Sequence, residues 1–143
     1  MILFIKFDYM DSDIEPLLKL YHDNKKYISV SANFFEYVLE NDFVYLYKIF
    51  SDDKLIGTLH LEQDDEILYL SIMIDKDYHH QGYATYTLKE VLKDSFHLGY
   101  KKIVVYIDKN NLNSIKLFEK VGFKFKEEDK ELLTYVYDLS FIE

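Results

Sequence analysis

The sequence predicts a mixed α/β fold in one domain, residues 1–143, with a mostly antiparallel sheet and flanking helices. Three observations support this prediction. The chain of 143 residues is 49% apolar and rich in Tyr and Phe, as a packed core requires. Three strand-like stretches follow one another at hairpin spacing. A strand, a helix and another strand then occupy the segment from Ile67 to Ile107, which predicts a central parallel strand pair.

The first half of the chain alternates in the pattern of strands and short helices. A strand is predicted from Ile2 to Asp8, and the capping-box pattern of residues 12–15 predicts a helix start, with Pro16 in its first turn. A second short helix carries Phe34, Phe35, Val38 and Leu39. The three hairpin strands are Phe43 to Phe50, Leu55 to Glu62 and Ile67 to Ile74, separated by short polar segments. The last of them is apolar nearly throughout, as in a central strand covered on both faces.

Helical periodicity predominates after residue 80. A helix of about fourteen residues is predicted from Ala84 to Phe96, with Gly99 as its C-terminal stop. A buried strand from Lys102 to Ile107 and a short helix from Ser114 to Val121 follow, and Gly122 ends that helix. The closing strands are Phe123 to Lys126 and Leu132 to Phe141. Each of the four glycines is expected where an element turns or begins.

Charge and composition narrow the classes of partner. The formal net charge is −9 and every basic residue is Lys, which disfavours nucleic acid and anionic membrane as main partners. It favours a cationic substrate such as a polyamine, an aminoglycoside or a basic peptide, although acidic charge also serves solubility. The absence of cysteine excludes disulfides and a cysteine nucleophile. No apolar run approaches the ~20 residues of a membrane span and no signal peptide is evident, so we expect a cytoplasmic and, from residue usage, bacterial protein.

The turn between the third hairpin strand and the long helix has the composition of a phosphate-binding site. Its residues are His79, His80, Gln81, Gly82, Tyr83 and Ala84, followed by Thr85. The first N–H groups of a helix lack partners within it and carry partial positive charge, so they bind phosphate oxygens. Gly82 lets the backbone approach a ligand, and Thr85 offers a hydroxyl. An ordinary strand-to-helix loop is the alternative.

This turn resembles the signature of the GCN5-related N-acetyltransferases, in which Gln or Arg is followed by two residues, Gly, any residue and a small residue. Here Gly82 and Ala84 match, and His79 replaces the first residue. A second family pattern begins about thirty residues downstream, after the strand-like stretch from Ile103 to Ile107. Its matching residues are Asn111, Ser114, Leu117, Phe118, Lys120, Gly122 and Phe123. The resemblance extends over essentially the whole chain.

The resemblance implies an acetyl-CoA-dependent enzyme in which an amine attacks the thioester directly. It implies that the strand from Ile67 to Ile74 splays from its parallel neighbour and that backbone groups of Ile72 and Ile74 bind pantetheine. A backbone N–H near Ile72 or Met73 would stabilise the oxyanion. The expected cofactor residues are thus Ile72, Met73, Ile74, His79, His80, Gln81, Gly82, Tyr83, Ala84, Thr85, Asn111, Ser114 and Phe118. The resemblance also allows a homodimer.

The acid and the base each have several candidates. Relatives use a tyrosine to protonate the leaving thiolate, and its position here is Phe118. Tyr106 is our candidate in its place, with Tyr83, Tyr86 and water as alternatives. Glu62 and Glu66 are the candidates for the base. Alternatively, both are solvated hairpin residues and the proton is removed through water.

Two further hypotheses remain from the sequence. One is a CoA-binding sensor or interaction module without chemistry, which the absence of a hydroxyl at Phe118 favours. The other is transfer of a longer acyl group. A catalytic metal is disfavoured, because His79 and His80 should diverge and His60 with Glu62 lacks a visible third ligand.

Overall fold

The computed structural model describes residues 1–141 and confirms the mixed α/β architecture. Its strands are β1 (Ile2–Lys6), β2 (Val44–Ser51), β3 (Lys54–Asp64), β4 (Ile67–Ile74), β5 (Lys102–Asp108), β6 (Lys124–Asp129) and β7 (Leu132–Asp138). Its helices are α1 (Ile14–Asp23), α2 (Phe34–Glu40), α3 (Tyr83–His97) and α4 (Leu112–Val121), with 3-10 helices at Lys76–Tyr78 and Leu139–Phe141. The seven strands form one sheet in the order β1-β2-β3-β4-β5-β7-β6.

The residues group into two compact units. The first comprises residues 1–62 and 72–81. In it β1 pairs antiparallel with β2, and β2 pairs antiparallel with β3. Alternate residues of these strands face α1 and α2, as the period of two in a strand requires. The buried cluster on that face consists of Phe7, Leu17, Leu20, Tyr21, Phe34, Val38, Val44, Leu46 and Met73.

Helix α1 begins one residue later than the capping-box pattern predicts, and that prediction is wrong in its chemistry. Its N-cap is Asp13, and no side chain caps the helix. The carboxylates of Asp13 and Asp11 instead accept hydrogen bonds from the buried ammonium of Lys48, at 2.7 and 2.9 Å. A buried ammonium needs such partners more than a helix end needs its cap.

The second unit comprises residues 63–71 and those from Gly82 onward. The start of β4 pairs parallel with β5, as predicted for the two strands joined through a helix. On its other edge β5 pairs antiparallel with β7, and β7 pairs with β6. Helices α3 and α4 pack in this unit, and its buried side chains include Leu88, Val91, Ile103, Val105, Phe118, Phe123 and Tyr135.

Several element ends differ from the sequence prediction. β7 ends at Asp138 and not at Phe141, because the Asp138 carboxylate accepts a hydrogen bond from the Ser140 N–H at 3.0 Å and bends the chain into a 3-10 turn. β1 ends at Lys6, and the side chain of Phe7 turns into the core. Gly57 lies inside β3 rather than at a turn. Its reason for being glycine is spatial, as described below.

Candidate active site

The turn at residues 79–84 leads from the end of β4 into α3. One 3-10 turn, Lys76–Tyr78, separates the end of β4 at Ile74 from this turn. Two of its residues have left-handed backbone, His80 with φ 62° and Gly82 with φ 85°. A residue with a Cβ pays about 1–2 kcal/mol for that conformation, so the bend at His80 is a specified feature of the fold.

Gly82 is the N-cap of α3, a helix of 15 residues, and no side chain caps this end. The Tyr86 N–H donates to the Gly82 carbonyl at 3.0 Å, which starts the helical ladder. A Cβ at Gly82 would meet no atom within 4 Å. No packing contact inside the protein therefore requires glycine here, although its left-handed backbone favours it, and the open space in front of Gly82 is available to a ligand. The uncapped helix end and its dipole suit an anion.

The remaining residues of the turn divide by exposure. Gln81 and both histidines are exposed, whereas Tyr83, Ala84 and Thr85 are half-buried. A neighbour that the sequence analysis did not name holds this first helical turn together. The hydroxyl of Thr87, which is fully buried, donates to the Tyr83 carbonyl at 2.8 Å.

His79, which departs from the family pattern, has a structural partner. Its Nε2 lies 2.6 Å from the backbone carbonyl of Ile74. Since a carbonyl can only accept, Nε2 carries the proton in this contact. The side chain of His79 thus ties the turn to the last residue of β4. The rings of His79 and His80 are perpendicular, with centroids 6.2 Å apart.

The end of β4 lies very close to β3 in the first unit. Ile72 is half-buried, and Met73 and Ile74 are buried. A Cβ built on Gly57 would lie 2.2 Å from the Met73 carbonyl oxygen. The Asp75 N–H also donates to the Ile56 carbonyl at 2.7 Å. Gly57 therefore sets the position of the Met73 backbone, and the sequence signal for it is a glycine inside a strand.

The parallel ladder of β4 with β5 is short. Within residues 1–141 it comprises the three pairs that run from Ile67 with Lys102 to Tyr69 with Val104, although both strands continue. Just beyond it, the exposed ring of Tyr106 stacks on Tyr69, with centroids 6.1 Å apart and planes 15° from parallel. Burial of Tyr69, with smaller effects from Tyr106 and Asp64, raises the pKa of the Tyr69 phenol.

Residues of the second sequence pattern have structural roles in α4 and in the core. Asn111 is the N-cap of α4, and its side-chain oxygen accepts from the Ser114 N–H at 3.3 Å. Phe118 is only 2% exposed, and its ring contacts Phe123 edge-on at 5.0 Å. Asn111 therefore caps a helix, and Phe118 fills the core of the second unit with almost no surface left for a ligand.

The two candidate carboxylates have different surroundings. Glu66 is exposed in the turn before β4, where its backbone carbonyl accepts from the Lys101 N–H at 2.8 Å. Glu62, near the end of β3, accepts a hydrogen bond from the hydroxyl of Tyr37 on α2. The Nε2 of His60 lies 3.9 Å from the other oxygen of Glu62. The structure thus surrounds Glu62 with polar side chains and leaves Glu66 to solvent.

Two features are absent from the part of the chain that the structure describes. Across residues 1–141 there is no group of three or more His, Cys, Asp or Glu side chains placed to hold a metal ion. In the same part of the chain, no helix combines the length and apolar character needed to cross a membrane.

The strand order, the short parallel ladder and the uncapped helix after β4 together define an acetyltransferase type of fold. The sequence comparison with family models agrees, since the Acetyltransferase (GNAT) family matches residues 9–123. The chain belongs to this family of acetyltransferases. The comparison with curated protein sequences found no match.

Solved structures with the same fold include three N-acetyltransferases. The PaiA N-acetyltransferase from Thermoplasma acidophilum, in complex with coenzyme A, has a TM-score of 0.78 and 17% identity, over 96% of this chain and 99% of that one. A dodecameric spermidine N-acetyltransferase from Vibrio cholerae has a TM-score of 0.79 and 16% identity, over 97% and 94%. The ribosomal-protein-S18-alanine N-acetyltransferase from Escherichia coli has a TM-score of 0.78 and 15% identity, over 100% and 97%. At these identities the similarity establishes the fold.

Proposed function

We propose that this protein transfers an acetyl group from acetyl-CoA to a primary amine of a small molecule or peptide. The amine attacks the thioester directly, without a covalent enzyme intermediate. The observation that carries the proposal is the turn into α3, where Gly82 adopts a left-handed conformation before an uncapped helix in a chain of the Acetyltransferase (GNAT) family. In this proposal the chain forms one domain and acts in the cytoplasm.

The turn is the proposed site of the pyrophosphate of CoA. Two charged phosphates need several donors, and the backbone N–H groups at the start of α3 supply them without lysine or arginine. The open space at the Gly82 Cα allows close approach. In this proposal His79 contributes by holding the turn, since its Nε2 already contacts the Ile74 carbonyl. His80, Gln81, Tyr83, Ala84 and Thr85 border the same ligand.

The acetyl end is proposed to lie along the end of β4. Backbone groups of Ile72 and Ile74 would bind pantetheine, and a backbone N–H at Ile72 or Met73 would stabilise the oxyanion. The fixed position of the Met73 carbonyl against Gly57 supports this assignment, because an oxyanion donor must be preorganised. Asn111 and Ser114 support the site by starting α4.

Tyr106 is the proposed proton donor to the departing thiolate. Its side chain is 55% exposed and stacks on Tyr69, so it is accessible and oriented. Phe118 has no hydroxyl and is buried, and it takes no part in proton transfer in this proposal.

A CoA-binding module without chemistry is the second candidate function. The observation that favours it is the burial of Phe118 at the position where relatives place a tyrosine. Such a module would bind CoA as tightly as the enzyme and release no thiol.

Thiol release from acetyl-CoA separates the two candidates. We would assay polyamines, aminoglycosides and peptide N-termini as acceptors, and measure CoA binding by calorimetry in parallel. Thiol release that depends on an amine supports the enzyme, and binding without turnover on every amine supports the module. Absence of CoA binding refutes both. A panel of longer thioesters tests whether acetyl is the preferred group.

The Gly82→Val variant tests the phosphate site. We expect CoA affinity to fall by about tenfold or more, because a branched side chain would occupy the space needed by the ligand. Gly99→Val is the matched control. Gly99 lies beyond the other end of α3, has φ 89° and likewise has no atom within 4 Å of a built Cβ. Both variants pay the same backbone strain, so equal CoA affinity in the two would refute the assignment.

The acceptor is proposed to be cationic, in keeping with the net charge of −9. A homodimer is our proposal for this chain, and the dodecameric Vibrio cholerae protein of the same fold supports self-association.

A further inference from the structure

A polar cluster of the first unit carries an inference about how the acceptor amine loses its proton. The cluster consists of His60 and Glu62 on β3 and Tyr37 on α2. His60 and Glu62 are two residues apart on one strand and pair with Leu46 and Val44 of β2, so their side chains share a face. Helix α2 covers that face, and the ring of Phe34 contacts His60 edge-on at 5.1 Å.

The carboxylate of Glu62 is divided between two neighbours. Its Oε1 accepts the hydrogen bond of the Tyr37 hydroxyl, and its Oε2 lies 3.9 Å from His60 Nε2. The hydrogen bond with Glu62 and the burial of the ring raise the pKa of the Tyr37 phenol. Tyr37 therefore remains a proton donor near neutral pH and fixes the orientation of Glu62.

His60 Nε2 is an unusual atom in this protein. Among the buried side-chain nitrogen and oxygen atoms of residues 1–141, His60 Nε2 alone has no hydrogen-bond partner. Native proteins leave few such atoms, and each one calls for an explanation. The explanation is that Nε2 carries a lone pair and no proton. The lone pair would face the Glu62 carboxylate without bonding to it, which keeps Nε2 and the carboxylate oxygen apart. A proton arriving at Nε2 would convert that contact into a charge-assisted hydrogen bond.

The electrostatic setting keeps the imidazole ready to accept a proton. Burial lowers the pKa of His60, and the nearby charge of Glu62 opposes that effect in part. Two other titratable groups on this face, Tyr21 of α1 and Lys48 of β2, already have partners. Tyr21 is hydrogen-bonded to Thr58, and Lys48 is bonded to Asp11 and Asp13.

We propose that His60 and Glu62 form the proton acceptor for the attacking amine and that Tyr37 is the positioning residue of Glu62. This inference rests on the acetyl transfer proposed above. The ammonium substrate gives one proton to Glu62, which passes it to His60 Nε2. The neutral amine then attacks the thioester carbonyl carbon and the carbon–sulfur bond breaks. Tyr106 gives its proton to the CoA thiolate, and the second amine proton restores the Tyr106 hydroxyl. The proton on His60 leaves to solvent.

The surroundings of the cluster fit a cationic acceptor. Tyr37 is 37% exposed and contacts Phe43, which is 45% exposed, edge-on at 6.5 Å. Aromatic faces beside a carboxylate attract ammonium groups. The same groups would therefore hold the amine and remove its proton.

The test is the pH dependence of turnover in three variants, with His97→Gln, at an exposed histidine of α3, as the matched control. We expect His60→Gln to reduce kcat about 100-fold at pH 7 and to leave the Kd of CoA unchanged. The deficit should shrink toward pH 9.5, where more of the amine is already neutral. Glu62→Gln should behave like His60→Gln, and Tyr37→Phe should lower kcat about tenfold. Circular dichroism checks that each variant is folded.

The coupling also has a readout independent of turnover. In the free protein, Glu62→Gln should lower the pKa of His60, as followed by NMR, because the carboxylate charge that raises it is removed. A normal kcat and pH profile in His60→Gln, or an unchanged His60 pKa in Glu62→Gln, would overturn the inference while acetyl transfer stands. If the wild-type protein releases no thiol with any amine, the proposed function fails, and this inference fails with it.

Discussion

Replacing Gly57 with alanine should damage the protein mainly through one very close contact. The added Cβ would lie 2.2 Å from the Met73 carbonyl oxygen, whereas carbon and oxygen in ordinary contact are roughly 3.3 Å apart. The backbones of β3 and β4 must therefore separate by about 1 Å at this point. The obstacle is backbone, so no side chain can rotate away to relieve it.

The expected loss of stability follows from that displacement. Overpacking of this kind costs about 3 kcal/mol, and alanine recovers roughly 0.5–1 kcal/mol of the entropy that glycine loses in a strand. The net loss of about 2–3 kcal/mol corresponds to a fall in Tm of roughly 10 °C for a domain of this size. Turnover should fall further, by about 100-fold in kcat/KM, because Met73 lies in the proposed oxyanion site and a 1 Å misplacement has that order of effect.

Thermal denaturation, CoA calorimetry and thiol release measure these effects. Gly99→Ala is the control, since the left-handed backbone of Gly99 costs it about 1–2 kcal/mol of strain without any contact near the new Cβ. The control should lose stability and keep its turnover per folded molecule. If Gly57→Ala is as stable as the wild type, or loses no more turnover than the control, the reasoning from the close approach is wrong.

Two further predictions concern stability. Burial raises the pKa of Tyr21 to about 12 from 10.0, so its contribution is fully present below pH 10 and is lost as the pH rises toward 12. That loss is about 3 kcal/mol in urea denaturation, and Tyr21→Phe should abolish this part of the alkaline decline. Asn111→Ala should cost about 1 kcal/mol in urea denaturation through loss of the α4 cap.

Each of these predictions has a contrary outcome. An alkaline stability profile of Tyr21→Phe parallel to that of the wild type would mean that the phenol is not protected from ionisation. If Asn111→Ala keeps full stability but binds CoA more weakly, Asn111 acts as a ligand contact and its capping of α4 is of little importance for stability.

The sheet was predictable because its signals are local. The apolar run of β4, the helix after it and the apolar run of β5 lie consecutively in the sequence, so the parallel pair could be inferred and is confirmed. The antiparallel hairpins follow from polar separators between strand-like segments. The helix ends at Gly99 and Gly122 follow from the same kind of local rule.

The parts that sequence reasoning missed depend on a partner from another element. The capping-box prediction failed because Lys48, from β2, takes the carboxylate of Asp13. The sequence predicts a turn near Gly57, because nothing in the neighbouring residues reveals how closely the Met73 carbonyl approaches.

The polar cluster shows the same limit. The spacing of His60 and Glu62 was visible in the sequence, but Tyr37 belongs to α2 and completes the cluster only in three dimensions. From the sequence alone, a His and a Glu two residues apart have the pattern of an incomplete metal site.

The contact of His79 with Ile74 has a thermodynamic consequence for any ligand of the turn. A flexible loop that closes on its ligand loses conformational entropy at the moment of binding, and the measured affinity is lower by that amount. Here a side chain already fastens the turn to the last residue of β4 before any ligand arrives. The ordering is completed during folding, so binding to this turn should show a small entropic penalty and rapid association.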